Sequence, residues 1–292
     1  MSKFLVACDD GHGMETPGKR TPPLKEDVKF RGKVYKKFPL IMSPTSKSSL
    51  PLQTYPVAQK GSCIHENEFN KNIMEKFIEG CKRCGINTLQ VAPGDEDTSL
   101  AKRVSKANSS GADLYISFHA NALTGKWQSK AYGLVVIIHE TCQEKTKVLA
   151  KNIYDYLKGG VSWYSNGGTK YGVRKDTDIS GYSLYVLKNT KMPAVLVEYG
   201  FMDNFEDVKI MCSDKFAEDC AENTLKGVCK TLGVRYKEKV DVPSKPSTPS
   251  TEDKDLVYRV IAGSYCSKDN ANKLVNELQS KGYDAFLSPY RV

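Results

Sequence analysis

The chain has 292 residues, 40% hydrophobic and 26% charged, with a formal net charge of +9. That length suits one large domain with a small companion, and the composition is that of a globular chain able to bury an ordinary core. The nine cysteines are odd in number and scattered, which excludes a disulfide framework and points to buried free thiols, the lone Cys81–Cys84 C-x-x-C included. The basic balance suits a polyanion such as nucleic acid, teichoic acid or an anionic glycan wall, or simply solubility, because Glu and Asp are interspersed with Lys and no basic block dominates; neither nucleic acid nor a membrane is expected as a partner.

In chain order, residues 3–8 (KFLVAC) read as a buried strand. This apolar run is far too short for a signal peptide. Synthesis in the cytoplasm is therefore expected, with delivery to any outside substrate by another route. Residues 14–63, rich in Pro, Lys, Ser and Thr, read as a long insertion. A helix follows from about Asn67 to Cys84, with Phe69, Ile73, Phe77, Ile78 and Cys81 on one face and Gly85 as its stop. Next are expected a strand at 87–92, a helix at 98–109, strands at 113–118 and 133–138, and a helix near 142–158. Two strands near 183–187 and 194–198 and a helix at 213–232 complete the series. Such alternation predicts an α/β fold with a mostly parallel sheet flanked by helices, whose ligands gather beyond the carboxyl ends of the strands.

The composition changes at residues 235–254, where Pro, Ser, Thr and charged residues predict an extended linker. Residues 256–292 then read as a small β-α-β segment, with Asp269 as helix N-cap, Gly282 just past the helix end, and Ala271, Leu274, Val275 and Leu278 as its apolar face.

The chain has four histidines: His12, His65, His119 and His139. Three follow directly on apolar strands, so a parallel sheet would bring His12, His119 and His139 to one edge, where a metal site is expected. His12 lies between two glycines that let the backbone turn sharply. Asp9 can orient a ligand by accepting a hydrogen bond from a ring nitrogen or a nearby backbone group. A catalytic zinc takes three protein ligands and keeps a fourth position open. Spacing alone leaves Glu66, His65, His139 and Glu198 as candidates for the third. Glu198 ends the run Ala194-Val195-Leu196-Val197, where a carboxylate needs a partner or a cleft.

Four segments occur in order: 9–13 (DDGHG), 66–70 (ENEFN), 112–121 (ADLYISFHAN) and 193–204 (PAVLVEYGFMDN). Together they resemble the zinc-dependent N-acetylmuramoyl-L-alanine amidases of the amidase-3 type, over about residues 1–233. The resemblance implies Zn2+ held by His12, Glu66 and His119, with Glu198 as catalytic acid/base and Asn121 near the substrate, bacterial peptidoglycan. His65 and His139 then become structural residues. The run Thr16–Pro22 resembles phage-type endolysins of this family.

The last segment resembles part of a SPOR domain, a family that binds denuded glycan strands. A full domain would continue past Val292, so a partial one is expected. The organisation implied is an amidase domain at 1–234, a linker at 235–254 and a SPOR-like wall-binding segment at 255–292. Without a signal peptide, action at the wall is expected after holin-type release or mother-cell lysis. Another zinc hydrolase of the wall, a peptidase or deacetylase, and a non-catalytic wall-binding protein are the alternative readings.

Overall fold

The computed structural model describes residues 4–29, 41–42, 57–58, 60–61, 63–164, 171–239 and 267–280. The chain divides into two compact units, residues 1–239 and 240–292.

In the first unit a six-stranded sheet is built from β1 (Leu5–Asp9), β6 (Asn87–Gln90), β7 (Leu114–Asn121), β8 (Leu134–Ile138), β9 (Gly172–Lys175) and β10 (Ala194–Phe201). Four two-residue strands lie within the insertion and just after it: β2 (Val28–Lys29) pairs with β4 (Val57–Ala58), and β3 (Ile41–Met42) pairs with β5 (Cys63–Ile64). The order across the main sheet is β6-β1-β7-β10-β8-β9. Its first four strands run parallel, whereas β8 is antiparallel to β10, with Glu198 opposite Val135, and β9 follows β8 in parallel.

One face of the sheet carries the long helices α1 (Glu66–Cys84), α3 (Glu144–Gly160) and α7 (Asp214–Leu232). Their apolar stripes close over inward-facing Val6, Ile116, Phe118, Val136 and Val197. Phe77, Phe118 and Tyr199 form a continuous aromatic stack there, with ring centroids 5.4 and 5.8 Å apart. Truncating a fully buried ring of this kind typically costs 3–5 kcal/mol, about 4 kcal/mol here. The opposite face is covered by α2 (Leu100–Ser109) and the short α5 (Tyr185–Asn189), over Ala7, Tyr115, Val135 and Leu196. Two further short helices are α4 (Asp176–Ser180) and α6 (Phe205–Met211).

The mixed, mostly parallel α/β architecture is the one expected, with four local differences. The stretch expected as a strand at 183–187 is largely helix α5, whose Val186 and Leu187 are buried. A short apolar run is compatible with either element, and the sheet position next to β8 is taken by β9, whose Gly-Val-Arg-Lys sequence carries no apolar run. Second, β8 runs backwards. The connection from β7, residues 122–133, holds no helix, so the chain re-enters the sheet at the edge it left. Third, residues 235–239, expected in the linker, pack on the first unit. The Arg83 Nε donates to the carbonyl of Lys237 at 2.9 Å, and the Tyr236 hydroxyl donates to Glu222 at 2.6 Å.

The fourth lies in the second unit, where the described element is α8 (Lys268–Ser280). Ser267 rather than Asp269 precedes its first turn, with the Ser267 Oγ accepting from the Asn270 amide at 3.5 Å. A serine hydroxyl caps as well as a carboxylate does. The strands expected on either side of α8, and Gly282, lie outside the described residues.

Candidate metal centre

Three chain segments meet at the carboxyl edge of the parallel strands. His12 follows β1, Glu66 opens α1, and His119 lies in β7 beside Glu198 of β10. A donor atom from each of His12, Glu66 and His119 lies within 4.8 Å of the other two. The His119 Nδ1 is 2.9 Å from Glu66 Oε1, and the His12 Nε2 is 3.5 Å from Glu66 Oε2. The two imidazoles stand edge to face at 89°, with centroids 5.0 Å apart.

The local sequence explains how this edge is reached. His12 is the one non-glycine residue with positive φ among those described, at 59°. Such a conformation costs about 1–3 kcal/mol and must be held by its surroundings. Asn67 Nδ2 donates to the carbonyls of Asp10, Gly11 and His12 at 3.1, 2.9 and 3.2 Å. Arg103 Nη2 donates to the His12 carbonyl at 2.9 Å. The flanking glycines serve close approach. A β-carbon on Gly11 would lie 2.6 Å from His119 Nε2, and one on Gly13 would lie 2.6 Å from the Asp97 α-carbon.

Asp9 is buried beneath the site and fully engaged. Its Oδ1 accepts from the Gly11 amide at 3.3 Å and pairs with Arg103, while its Oδ2 accepts from the Tyr115 hydroxyl at 2.7 Å and the Ser117 hydroxyl at 2.8 Å. Ser117 Oγ also lies 3.1 Å from His119 Nε2. Since the serine proton is given to Asp9, its oxygen accepts from Nε2–H. That bond fixes the orientation of the imidazole and leaves Nδ1 as the nitrogen that faces the Glu66 carboxylate.

Facing each other at 2.9 Å, Nδ1 and the Glu66 carboxylate hold a cation between them, either the imidazolium proton or a metal ion in its place. The Glu66 Oε2 is buried and has no hydrogen-bond partner among the described residues. Two imidazole nitrogens and one carboxylate oxygen form a donor set suited to a borderline divalent ion such as zinc. The residues present therefore fit a metal.

The electrostatics agree. Burial pushes the His12 imidazole down to about 4, so it is neutral and able to ligate at ordinary pH. Burial works to raise Glu66, but His12, protonated at the low pH where Glu66 titrates, together with the His119 hydrogen bond and the charges of His119 and Lys19, brings it below the usual carboxylate range. Burial works against protonation of His119, yet the hydrogen bond and charge of Glu66 raise it. Burial moves Glu198 in the other direction, well above the usual carboxylate range. Its Oε2 is buried and unpartnered among the described residues.

The remaining candidates fall elsewhere. Asn121 ends β7 two residues past His119, hence on the same face of the strand, and its side-chain oxygen accepts from the Ala122 amide at 2.8 Å. His65 is buried at the N-cap of α1, with Nδ1 3.9 Å from Glu68. His139 lies at the opposite sheet edge because β8 is antiparallel to β10, and its Nδ1 is 2.9 Å from Asp176. The expectation of three histidines at one edge assumed a parallel β8. The 193–204 motif has a structural tail as well. Asp203 Oδ2 accepts from the amides of Leu123, Thr124 and Gly125, shaping the loop after β7, and Asn204 caps α6.

Arg103 and Ser117 escaped notice in the sequence. The signal for Arg103 was its place on the buried stripe of α2 beside Val104 and Ala107. An arginine among core positions needs a buried counter-charge.

Fold and site together define an α/β protein with a two-histidine, one-carboxylate centre at its sheet edge. The N-acetylmuramoyl-L-alanine amidase family model matches residues 6–230, and the chain belongs to that family. A SPOR domain model matches residues 236–289, reaching back across the stretch expected as linker. The chain is 32% identical to the endolysin of Bacillus phage SPP1 over 187 residues, covering 62% of this chain and 65% of the phage protein. It is 25% identical to the sporulation-specific N-acetylmuramoyl-L-alanine amidase of Bacillus subtilis, over 70% of this chain and 67% of that one. Among solved structures, an N-acetylmuramoyl-L-alanine amidase from Clostridium difficile 630 shares the fold with a TM-score of 0.56 at 21% identity, covering 80% of this chain and 98% of its own. The CwlV catalytic domain from Paenibacillus polymyxa matches equally, with a TM-score of 0.56 at 19% identity, over 80% and 99%.

Proposed function

We propose that this chain hydrolyses the amide bond between N-acetylmuramic acid and L-alanine in bacterial peptidoglycan, with Zn2+ held by His12, Glu66 and His119. The observation that carries the reading is the convergence of those three donors beside the half-buried Glu198, whose Oε2 has no hydrogen-bond partner among the described residues, in a chain of the amidase family. Zinc in such a site supplies Lewis acidity, which lowers the pKa of water and polarises a carbonyl.

The residues divide the remaining work. Glu198 takes a proton from the attacking water, whose oxygen adds to the lactyl carbonyl carbon. The same carboxyl then gives that proton to the alanine nitrogen as the carbon–nitrogen bond breaks, leaving a muramic acid carboxylate and a peptide with a free amine. A carboxyl raised by burial is suited to holding a proton and returning it. Ser117 and Asp9 keep the His119 ring oriented, and Asn67 and Arg103 keep His12 aimed inward. Asn121, on the same strand face as His119, contacts the substrate in this reading.

The setting is either a phage lysin that reaches the wall through holin-type membrane holes or an autolysin freed by mother-cell lysis. The SPP1 endolysin and the sporulation amidase among its relatives support the two settings respectively. The SPOR match supports binding of denuded glycan strands by the C-terminal segment.

Digesting purified peptidoglycan with the zinc-loaded and the chelated protein tests the reading. New alanine amino termini, lost on chelation and restored by zinc, are expected. Other peptide termini or released acetate would instead indicate a peptidase or a deacetylase.

A further inference from the structure

The run Thr16-Pro17-Gly18-Lys19 is not used by the reaction described, yet it is tied to the metal centre. The Lys19 carbonyl accepts from the Glu66 amide at 2.9 Å, and the Lys19 amide donates to the Thr16 carbonyl at 3.3 Å. The next residue, Arg20, bridges to His65. The base of the Lys19 side chain is thus fixed to the backbone of a candidate ligand. Its ammonium lies 3.9 Å from Glu66 Oε2, and the side chain is 41% exposed.

Two other cations near this edge are already committed. Arg103 is 1% exposed and bound to Asp9, Asp97 and two carbonyls. Lys71 is buried against Asp95 and the Gly94 carbonyl. Lys19 is different. The one ion pair it makes among the described residues, with Glu66, is longer than a hydrogen bond. Once Glu66 is committed to a divalent ion, Lys19 stands beside the metal centre as a cation with no other carboxylate partner among the described residues.

The scissile lactyl–alanyl amide is neutral on both sides. The nearest anion in a peptidoglycan stem is the α-carboxylate of the second residue, a glutamate joined to the chain through its side chain. One alanine separates it from the scissile nitrogen, a span on the order of 5 Å. A lysine rooted at the centre covers that distance with its own side chain.

We infer that Lys19 is a specificity-determining residue that receives the α-carboxylate of the second stem residue, so that stems with a free carboxylate are preferred over amidated ones. The inference rests on the amidase reading above. Lysine acts here as a point charge and needs no planar partner, so arginine should substitute in part and a carboxylate should invert the preference.

The test compares two soluble substrates, muramoyl-L-alanyl-D-isoglutamate and its isoglutamine counterpart, with the full zinc-loaded chain. Wild type should show a kcat/KM ratio of roughly ten in favour of the acid, carried mostly by KM, as expected for about 1.4 kcal/mol of charge recognition. Lys19→Met should bring the ratio near one, Lys19→Arg should keep most of it, and Lys19→Glu should reverse it. Zinc content and thermal unfolding of each variant separate these effects from damage to the centre. A wild-type ratio near one, or equal losses on both substrates in Lys19→Met, would overturn the inference and leave the amidase reading standing. Cleavage of neither substrate by the wild type would sink both.

Discussion

Arg103→Met is the sharpest perturbation that leaves every candidate ligand in place. It removes a guanidinium that is 1% exposed and holds four groups: Asp9, Asp97 at 3.0 Å, and the carbonyls of Thr98 at 2.6 Å and His12 at 2.9 Å. Asp9 would then keep its charge beneath the sheet edge with only the Gly11 amide and two hydroxyls to hold it. Breaking a buried pair from one side costs roughly 3–5 kcal/mol. The loss of the hydrogen bond to His12 adds about 1 kcal/mol. Against a domain stability of about 5–15 kcal/mol, the variant should fold but unfold at much lower urea. His12, freed of one restraint on its positive φ, should relax, and zinc affinity should fall roughly 10–100-fold, as for other orienting partners of ligands. The assay is urea unfolding of chelated wild type and variant, with zinc affinity by competition against an indicator. Asp9→Asn should relieve much of the loss, giving a coupling of at least about 1 kcal/mol in a double-mutant cycle. A single-variant loss under about 1 kcal/mol, with zinc affinity unchanged, would refute the argument.

Other perturbations address separate links. Gly11→Ala places a β-carbon against the His119 ring at an already positive φ of 47°, so zinc affinity should drop at least about 100-fold in a protein that still unfolds cooperatively; tight zinc binding measured by competition would contradict the packing described. Glu198→Gln should retain zinc and lower kcat by roughly 10²–10⁴, the range for a general acid–base group, and a kcat near wild type on purified wall would remove Glu198 from proton transfer. His139→Asn, at the far sheet edge, should leave kcat and zinc content unchanged while lowering stability by about 1–2 kcal/mol through the lost Asp176 contact; loss of zinc from that variant would show that the edge assignment is wrong. Asp207 tests pH linkage. Burial raises its carboxyl to about 6 against the amide hydrogen bonds of Gly133 and Phe201, so the folded state retains a proton that the unfolded chain releases near 4. Its effect on stability is therefore most favourable below about 4 and declines as pH rises to about 6, by at most about 3 kcal/mol. Asp207→Asn should remove that slope from the unfolding curves, and identical slopes for wild type and variant would refute it.

The layers of the fold were legible because they follow from apolar periodicity. α1, α2, α3 and α7 each carry a stripe at three-to-four spacing, and β1, β7, β8 and β10 each carry a nearly unbroken apolar run. Strand direction was not legible in the same way. Nothing in Leu134–Ile138 tells whether the run points up or down; that depends on the helix-free loop before it, and it decides where His139 falls. β9 escaped because an edge strand of four residues with Arg and Lys has no apolar pattern to read. At the site, residue type and order suggested a metal, whereas the choice of Glu66 came from family resemblance. Its carboxylate starts a helix, which by itself fits a residue placed only to suit the helix dipole.

The arrangement around Asp9 explains why a motif of small residues lies beside a reactive centre. Asp9 ends a strand of the sheet interior, and its carboxylate must be satisfied there, because an unpaired buried charge would destabilise the whole domain. Its partners, Tyr115 and Ser117 from the neighbouring strand and Arg103 from the helix above, are each set by core packing. One of them, Ser117, is also the group that fixes the orientation of the His119 imidazole. The same carboxylate therefore anchors the core and orients a ligand. Ser117→Ala separates these roles: Asp9 keeps Arg103 and Tyr115, so stability should change by only about 1 kcal/mol, while the His119 ring loses its acceptor. Zinc affinity should fall roughly tenfold or more, and a variant with lowered stability but unchanged zinc affinity would show that Ser117 serves only the core.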